Sequence, residues 1–528
     1  SVFTAPSLRE MALALGRETA EAFQAPANPI APGCQALSPD LLPLVELSQA
    51  EIDRIVAAVP GGAANIQDIY PLAPLQQGIL FHHLLKHEGD AYLVRSLIEF
   101  DGRARLDAFI EALQRVIDRH DILRTAVHWA GLPQAVQVVQ RQVRLPVHSL
   151  RLDAGEDALT QLERLSDPRR LRLDLSQAPL LRAYIAQDPQ SERWLLALLD
   201  HHMISDHVTL ELILEEIQAT LQGQGDHLPA PQPYRDFVAQ TLASPAQVHE
   251  AYFRRRLADI DAPTAPFDLL DVQGDGMQVA EANLRLDTPL AQHIRAQARA
   301  QGVTPAVLFH IAWAQVLARC TGREDLVFGT VVSGRLQGSA GAERALGVFI
   351  NTLPVRVNLA RQGAQALVAE THRDLSELLA HEQAPLALAQ RCSGVAASLP
   401  LFTSLFNYRH QTAGGSLANE DQVLAWEGIR FISNEARTNY PIEIAVADEG
   451  LDFSLTAQSV AGIDPQRIAG YMANAIAALV DALERQLEQP VQSLCILPAA
   501  ERQQLLVDFN ASTSDFGPAQ PIHQLFEA

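Results

Sequence analysis

The sequence predicts a mixed α/β fold with more than one globular unit, and three observations indicate it. Helical stripes of apolar residues alternate along the chain with short apolar runs typical of strands. The sequence contains neither a phosphate-loop motif nor a dinucleotide-binding glycine motif, so it does not indicate a nucleotide-binding α/β unit. Its 528 residues exceed what one hydrophobic core usually organises, so the length predicts two or more cores.

Two of the predicted helices begin at recognisable capping pairs. Thr304 with Pro305 and Asp464 with Pro465 each place a capping side chain before a proline at the first helical position. A third helix is predicted from its apolar stripe alone, which consists of Leu106, Phe109, Ile110, Leu113, Val116 and Ile117.

The predicted strands are short apolar runs that lie between these helices. Their length and their β-branched content favour strands over helix segments. The runs are Val136–Val139, Trp194–Leu199, Val327–Val332 and Leu353–Val357.

Charge and hydropathy narrow the possible partners. The formal net charge of −22 disfavours an extended nucleic-acid surface, because such surfaces depend on basic side chains that neutralise phosphates. No run of about 18 uninterrupted apolar residues occurs, so no membrane span is predicted. The N-terminus lacks the charged, apolar and small-residue pattern of a secretory signal. We therefore expect a cytoplasmic protein whose partners are other proteins.

The four cysteines, Cys34, Cys320, Cys392 and Cys495, are far apart and share no CxxC spacing. This pattern indicates neither a zinc site nor a disulfide framework. We expect four free thiols.

The segment His201–His207 (HHMISDH) is the main candidate site. It lies between the strand-like run Trp194–Leu199 and an amphipathic pattern over Val208–Leu221, so a strand-to-helix turn is predicted there. Side chains on such a turn can face a cleft, which favours a catalytic base with a supporting group. A metal site is the alternative, but side chains of neighbouring residues at a strand end diverge, and no HExxH spacing is present. No metal is predicted.

These seven residues resemble the HHxxxDG signature of the condensation domains of non-ribosomal peptide synthetases, with His207 in the place of the glycine. Further segments resemble other motifs of that family, in the family's order, and the resemblance covers roughly residues 65 to 490. They are Asn65–His83, Arg119–Thr125 (RHDILRT), Tyr234–Phe237, Gly322–Arg335 (GREDLVFGTVVSGR), Val348–Arg356, Leu405–His410 and Arg437–Ile442.

A second pair of histidines narrows the subclass. His82–Asp90 (HHLLKHEGD) resembles the HH(I/L)xxxxGD signature of dual epimerisation and condensation domains. The NYRH and TNYPI segments are also similar to that subclass. The simpler alternative is a solvated helix end that stops at Gly89. His83 and His87, four residues apart on the predicted helix, could form a metal-ligand pair, but the sequence offers no third ligand.

The resemblance implies two lobes with the fold of chloramphenicol acetyltransferase, arranged as a V with a tunnel between them. The N-terminal lobe would comprise residues 65–242 and the C-terminal lobe residues 243–490. Residues 1–20 resemble the last helix of an upstream carrier domain, and residues 21–64 are predicted to be a linker because they are rich in alanine and proline at their start. Residues 491–528 resemble a linker and the start of an adenylation domain.

The resemblance also implies a function and partners. The domain would epimerise an upstream aminoacyl or peptidyl thioester at Cα and condense the D form with a downstream aminoacyl thioester. It would bind no cofactor itself, because both substrates are carried on the 4′-phosphopantetheine of partner carrier domains. An adjoining adenylation domain is the third expected partner.

Roles for the candidate residues follow from the same resemblance. His202 would act as the acid–base group or bind the tetrahedral intermediate, with His201 structural and with His82 and His83 as further working parts in epimerisation. Asp206 would be a buried support that pairs with an arginine. Arg124 is the expected partner and Arg335 the reserve.

His207 is the departure from the family pattern, and it leaves alternatives open. Glycine permits backbone conformations that a side chain restricts, and an imidazole here would protrude on the acceptor side. The chain could therefore be a condensation-like module that docks carrier proteins or a tailoring enzyme without joining their cargo. An ordinary condensation domain that accepts an L-configured donor is the third possibility.

Overall fold

The computed structural model describes most of the chain. The described residues are 23–85, 88–272, 274, 279–335, 344–360, 362–410, 426–435, 437–485, 488–512 and 521–527. The expected carrier helix in residues 1–20 lies outside them, and so does His87.

The helices are numbered here in chain order. They are α1 Gln49–Ala58, α2 Pro74–Leu85, α3 Arg103–Arg119, α4 Ala158–Leu165, α5 His207–Leu221, α6 Tyr234–Ala243, α7 Ala246–Leu257, α8 Thr288–Ala300, α9 Pro305–Thr321, α10 Ala364–Leu379, α11 Leu386–Arg391, α12 Pro465–Glu484, α13 Ala499–Gln503 and α14 Ile522–Glu527.

The strands are numbered in the same way. They are β1 Ile66–Pro71, β2 Leu93–Phe100, β3 Thr125–His128, β4 Val136–Gln140, β5 Val147–Leu150, β6 Leu181–Gln187, β7 Trp194–His201, β8 Val279–Arg285, β9 Asp325–Val332, β10 Asn351–Asn358, β11 Ser404–His410, β12 Ile429–Glu435, β13 Ile442–Asp448 and β14 Phe453–Val460.

The fold consists of two α/β lobes, each built around its own sheet and core. In the N-terminal lobe a five-stranded sheet has the order β12-β2-β7-β6-β5, and a three-stranded sheet has the order β1-β4-β3. Helices α3 and α5 pack against each other. The core of this lobe includes the fully buried Phe100, Phe109 and Tyr234.

The C-terminal lobe contains a six-stranded sheet in the order β10-β9-β11-β13-β14-β8. Its core is formed around α9, which is buried along most of its length and includes Trp313. Helix α12 packs against α9 and completes this layer. The two large cores confirm the prediction, made from length, of more than one globular unit.

Most of the elements predicted from periodicity are confirmed. The four predicted strand runs lie in β4, β7, β9 and β10, and the three predicted helices are α3, α9 and α12. The Asp464 side chain accepts a hydrogen bond from the Gln466 amide (2.9 Å), as expected of a capping residue, whereas Thr304 makes no such bond. All four cysteines are free thiols.

Two features differ from the predicted domain division. Residues 30–63, expected within a linker, contain α1 and pack into a hydrophobic cluster with β1 and β4. The helix begins with a capping box formed by Ser48 and Glu51. Strand β12, expected in the C-terminal lobe, instead joins the sheet of the N-terminal lobe by pairing with β2.

Within the described part of the chain, no single helix has both the length and the apolar composition of a membrane span. The bent pair α8 and α9 meets that criterion only when the two helices are taken together.

Candidate active site

His201 and His202 lie where β7 ends, and α5 begins five residues later at His207. This geometry confirms the predicted strand-to-helix turn. The His202 amide donates to the Tyr92 carbonyl (2.8 Å), so the turn is anchored to the residue that precedes β2. The two histidines are adjacent in sequence, but their rings have different environments: His201 is fully buried and His202 is half-buried.

The hydrogen bond of the His202 ring defines its tautomer. Nδ1 lies 2.9 Å from the Ser205 carbonyl oxygen, which can only accept, so Nδ1 carries the proton. Nε2 of the neutral ring then holds the lone pair. A half-buried imidazole with its Nδ1–H held by a carbonyl is arranged to act as a base through Nε2.

The His201 ring links the two histidine motifs. Its Nε2 lies 3.1 Å from an Asp90 carboxylate oxygen, and the same oxygen lies 2.7 Å from Nδ1 of His83. The other oxygen of Asp90 accepts from the Tyr92 amide (3.0 Å). Burial opposes ionisation of Asp90, but the electrostatic effect of His201 and the hydrogen bonds from His201, His83 and the Tyr92 amide outweigh it and lower the pKa of the carboxyl. Asp90 is therefore a carboxylate that holds both rings.

The cluster of His83, Asp90 and His201 has the residue types of a metal site, because its ligand atoms lie within 4.8 Å of one another. The hydrogen bonds argue against that use. The Met203 amide donates to Nδ1 of His201 (3.0 Å), so Nδ1 is the acceptor and Nε2 carries the proton that faces Asp90. A metal at Nε2 would need the opposite tautomer, so the cluster is better described as a hydrogen-bonded support.

His82 has different surroundings from His83. It is half-buried, with its ring centre 5.9 Å from that of Tyr92 and 5.6 Å from that of Phe81. His83, by contrast, contacts the Asp90 carboxylate. Both histidines were predicted to take part in epimerisation.

Asp206 caps α5 and binds the C-terminal lobe. Its side chain accepts from the Thr209 amide (2.8 Å) and the Phe349 amide (3.2 Å), and Nη2 of Arg335 lies 3.2 Å away. The Asp206 and Arg335 side chains are 0% and 8% exposed. Burial would raise the pKa of Asp206, but Arg335, His207 and Thr209 outweigh it and hold that pKa below its ordinary value.

The expected pairing of Asp206 with Arg124 is wrong, and the reserve candidate Arg335 is the partner. The Arg124 guanidinium instead donates to the Gln67 side chain (2.9 Å) and to the Gln140 carbonyl. Arg124 thus joins β1 to β4 within the N-terminal lobe, whereas Arg335 reaches Asp206 from the other lobe and stacks 4.0 Å from the centre of the Phe349 ring.

His207 is the first residue of α5, and its φ is not positive. The backbone at this position therefore does not require the glycine of the family pattern. Any conflict would be steric, between the imidazole and an acceptor substrate. The ring is half-buried. Burial lowers the pKa of His207 to about 4, with further lowering by Arg409, Arg335 and His202 against the opposing charge of Asp206. His207 is thus neutral near pH 7.

The C-terminal lobe contributes a polar row that faces this turn. In β13, Ile442, Ile444 and Val446 are buried in the core, so alternation places Glu443 on the opposite face of the sheet. Asn407 and Arg409 of β11 lie on that same face. The charge of Arg409 acts on His207 and on Glu211 of α5, and His202 acts on Glu443.

Glu443 is held by side chains from its own lobe. Thr438 and Asn407 hydrogen-bond to its carboxyl group. Burial raises the pKa of Glu443, against the lowering effects of Arg409, these two hydrogen bonds and His202. When the Asn407 amide oxygen faces Arg409, it accepts from Nε and Nη2 of that guanidinium at 3.1 Å.

No role was predicted for Asp90 or Glu443. Asp90 is the last residue of the HHLLKHEGD segment, but its contacts with His83 and His201 could not be predicted from the sequence. Glu443 directly follows the TNYPI segment, and the alternation of β13 could have placed it on the face opposite the core.

The structure has two α/β lobes, a His-His turn at the end of β7, and a buried Asp206–Arg335 pair between the lobes. These features are those that the resemblance to condensation domains led us to expect. The sequence model of the condensation domain matches residues 66–506. The chain belongs to the condensation-domain family.

Its relatives include synthetases from a fungus and a bacterium. Malpibaldin synthetase of Mortierella alpina is 44% identical over 529 residues, which cover 100% of this chain and 9% of the synthetase. A linear gramicidin synthase of Brevibacillus parabrevis is 30% identical over 503 residues, which cover 93% of this chain and 10% of the synthase chain. The chain thus spans about a tenth of the length of these relatives.

Solved structures share the fold at low identity. A four-domain non-ribosomal peptide synthetase, holo-AB3403 bound to AMP and glycine, matches with a TM-score of 0.69 and 16% identity over 88% of this chain and 36% of its own. The condensation domain from the monacolin K polyketide synthase MokA matches with a TM-score of 0.63 and 19% identity over 82% of this chain and 100% of its own.

Proposed function

We propose that this chain forms a peptide bond between two thioester-bound substrates, after it has epimerised the donor at Cα. The donor is an upstream aminoacyl or peptidyl group, and the acceptor is a downstream aminoacyl group. Each is carried on the 4′-phosphopantetheine arm of a carrier domain. The observation that supports this proposal most directly is His202, a half-buried base whose Nδ1–H is held by a carbonyl beside the other lobe.

In the condensation step, the acceptor amine attacks the donor thioester carbonyl. A C–N bond forms, the C–S bond breaks, and the donor pantetheine leaves as a thiol. Nε2 of His202 takes a proton from the attacking amine, or donates a hydrogen bond to the intermediate once protonated. Two arms that enter between the lobes from opposite sides make the encounter effectively intramolecular, which contributes several kcal/mol or more.

The epimerisation half is supported by the HHLLKHEGD segment. Gly89 has a φ of +64°, and a Cβ at this position would lie 2.5 Å from the Arg169 carbonyl oxygen. Glycine is therefore required where the chain turns, and the turn brings Asp90 to His83 and His201. In this proposal His83, Asp90 and His201 are positioning residues that hold the turn bearing His202.

Inversion also needs a second proton-carrying group on the other face of the donor Cα. The resemblance of the HHLLKHEGD segment to dual domains predicts that His82 or His83 provides it.

The test supplies carrier domains in trans, loaded with L- or D-aminoacyl donors and an aminoacyl acceptor. Wild type should form dipeptide from both donors, and the product should contain the D residue in both cases. His202→Ala should abolish dipeptide formation while the circular dichroism spectrum is unchanged. A wild-type dipeptide that keeps the L configuration would reject the epimerisation half and leave an ordinary condensation domain.

A second candidate function rests on His207, whose half-buried ring occupies the position of the family's glycine. A module with an obstructed acceptor side would bind carriers or a tailoring enzyme without catalysis. A fold neighbour is the X-domain, solved as a complex with OxyB from teicoplanin biosynthesis (TM-score 0.65, 19% identity). Dipeptide formation by wild type, lost in a folded His202→Ala variant, would exclude this candidate.

A further inference from the structure

Glu443 is a half-buried titratable group that the condensation step does not use. It lies on the face of the six-stranded sheet away from the core of its lobe, and His202 of the other lobe is among the groups that act on it electrostatically. A carboxyl in this position is costly to bury unless it has partners or a function.

Hydrogen bonds of the neighbouring residues Thr438 and Asn439 link Glu443 to Tyr92 and so to the turn that bears His202. Thr438 hydrogen-bonds to Glu443, and its neighbour Asn439 accepts from the Tyr92 hydroxyl (3.2 Å). The Tyr92 carbonyl in turn accepts the His202 amide (2.8 Å). The bonds cross from one lobe to the other, so Glu443 and His202 are held on the two sides of the same inter-lobe contact.

We propose that Glu443 is the second acid–base group of epimerisation and acts on the face of the donor Cα opposite to His202. This inference rests on the epimerisation half of the proposed function. Glu443, in the C-terminal lobe, would then be the second proton-carrying group, a role predicted from the sequence for the His82–His83 segment.

The proton balance of the step is complete with these two groups. Nε2 of His202 removes the Cα proton, and the electron pair of the C–H bond passes into the enolate of the thioester. The Glu443 carboxylic acid then gives its proton to the opposite face of Cα. His202 ends as an imidazolium and Glu443 as a carboxylate, and exchange of one proton with solvent at each group restores the starting state.

Compared with Asp90, Glu443 has the environment that suits this role. Burial raises the pKa of Glu443, which favours the protonated form that the step requires. The pKa of Asp90 is lowered, and its oxygens accept hydrogen bonds from the rings of His83 and His201 and from the Tyr92 amide. Asp90 therefore has no proton to donate.

The experiment compares wild type with Glu443→Gln in D₂O, using upstream carriers loaded with L-leucine, L-valine or L-phenylalanine and, separately, with the D forms. Wild type should convert L donors into D products that contain deuterium at Cα. Glu443→Gln should lower the rate of inversion by roughly 100-fold or more, the usual effect of losing a positioned acid–base group. Condensation of the D donors should stay within a few-fold of wild type.

Deuterium exchange provides a readout that a structural role would not affect. In Glu443→Gln, His202 still removes the Cα proton and returns a solvent deuteron to the same face. The recovered L donor should therefore gain deuterium without inversion. Glu443→Asp, which keeps a carboxyl on a shorter side chain, should recover part of the inversion rate.

Glu281→Gln is the matched control. Glu281 lies on β8 of the same sheet, in register with Gln458 and Glu443 across the strands, but it is exposed. This variant should invert and condense as wild type does.

Four results would overturn the inference. Inversion by Glu443→Gln at the wild-type rate, or loss of inversion in His82→Asn with none in Glu443→Gln, would show that another group acts. Equal loss of inversion and of D-donor condensation in both Glu443 variants would show a structural role. Wild type that condenses D donors but neither exchanges nor inverts L donors would instead reject the epimerisation half itself.

Discussion

At the scale of single residues, His202 and Asp206 lie four positions apart but have separate tasks. The His202 ring is half-buried, and the Ser205 carbonyl holds its Nδ1–H, so Nε2 is the nitrogen that the proposed mechanism uses as a base. The Asp206 carboxylate is fully buried and is used by the Thr209 amide, the Phe349 amide and Arg335. A substitution of His202 is therefore expected to affect the chemistry, and a substitution of Asp206 is expected to affect the stability of the fold. Measurements of stability can distinguish these two causes of lost activity.

We expect Asp206→Ala to destabilise the fold, because it strands the Arg335 charge between the lobes. Removing one partner of a buried ion pair costs roughly 3 to 5 kcal/mol. Urea unfolding followed by circular dichroism should show this loss, and activity should fall with the folded fraction. His202→Ala should lose activity without such a shift in midpoint. An Asp206→Ala variant as stable as wild type but inactive would contradict the assignment of Asp206 as a support.

His207 should make the free energy of unfolding depend on pH. Its pKa is about 4 when folded and 6.5 ordinarily, so between these values the unfolded chain binds the extra proton. The free energy of unfolding therefore falls as pH falls through this window, by at most about 1.4 kcal/mol per pH unit for one proton. Asp206, Arg335, Arg409 and His202 are the neighbouring groups that act electrostatically on His207.

The measurement is the urea midpoint between pH 7 and pH 4 in wild type and His207→Asn. The variant should have the shallower dependence, because it removes one group that charges only after unfolding. His227→Asn, at an exposed position, should keep the wild-type slope. Identical slopes in wild type and His207→Asn would refute the depressed pKa.

The candidate site was predictable where its residues are close in sequence. The HHMISDH turn follows from an apolar run next to an amphipathic pattern, and both are local signals. The partners of this turn could not be found in the same way. Arg335 lies 129 positions after Asp206, and the HHLLKHEGD segment lies 111 positions before His201, measured at Asp90. Such contacts depend on how the two lobes pack.

At the scale of elements, the turn that leads to Asp90 depends on one glycine. Gly89 combines a left-handed φ with close approach to the Arg169 carbonyl, and the next residue is Asp90. Any side chain at position 89 has to move that backbone, which displaces the Asp90 carboxylate from His83 and His201.

We therefore expect Gly89→Ala to lower the rate of donor inversion and the thermal midpoint together. Gly223→Ala is the matched control, because Gly223 has a φ of +74° but no atom within 4 Å of a new Cβ. Both substitutions carry the backbone strain of a left-handed alanine, roughly 1 kcal/mol. Only Gly89→Ala should reduce inversion. Equal activity of the two variants would contradict the role of the Asp90 turn.

Most elements were predictable from periodicity, and the exceptions have physical reasons. Helix α1 lies in a segment whose first part is rich in proline and alanine, so the composition obscured a short amphipathic helix with a capping box. Strand β12 pairs with β2, more than 300 positions earlier in the chain, and no local pattern reports which sheet a strand joins. The predicted division of the chain into lobes therefore did not anticipate that this strand joins the N-terminal sheet.

At the scale of the whole molecule, two segments from the C-terminal half make the lobes interdependent. Strand β12 completes the edge of the N-terminal sheet next to β2. Ala345, Leu346 and Phe349 pack into the hydrophobic core of the N-terminal lobe. The N-terminal lobe is thus completed by two segments from the C-terminal half of the chain. The contact between the lobes therefore does not consist of two separately folded surfaces.

This arrangement predicts that a substitution at the start of β12 loosens the N-terminal lobe. Gly428 has a φ of +75°, at which an alanine strains the backbone, and its carbonyl accepts a hydrogen bond from the Asp101 amide (2.9 Å) just after β2. A Cβ there would meet the end of the Asp101 side chain, which can turn away, so the backbone strain acts on this bond between β12 and β2. Gly428→Ala should therefore displace β12 and speed hydrogen exchange in β2 and β7, as measured by mass spectrometry.

Gly450→Ala is the matched control, with a φ of +83°, open space around the new Cβ, and a position in the β13–β14 connection of the other lobe. Its effect should remain in that connection, because the backbone strain is the same but no inter-lobe contact is touched. If Gly428→Ala left exchange in β2 unchanged, β12 would be a peripheral addition, and the coupling of the two lobes through it would be refuted.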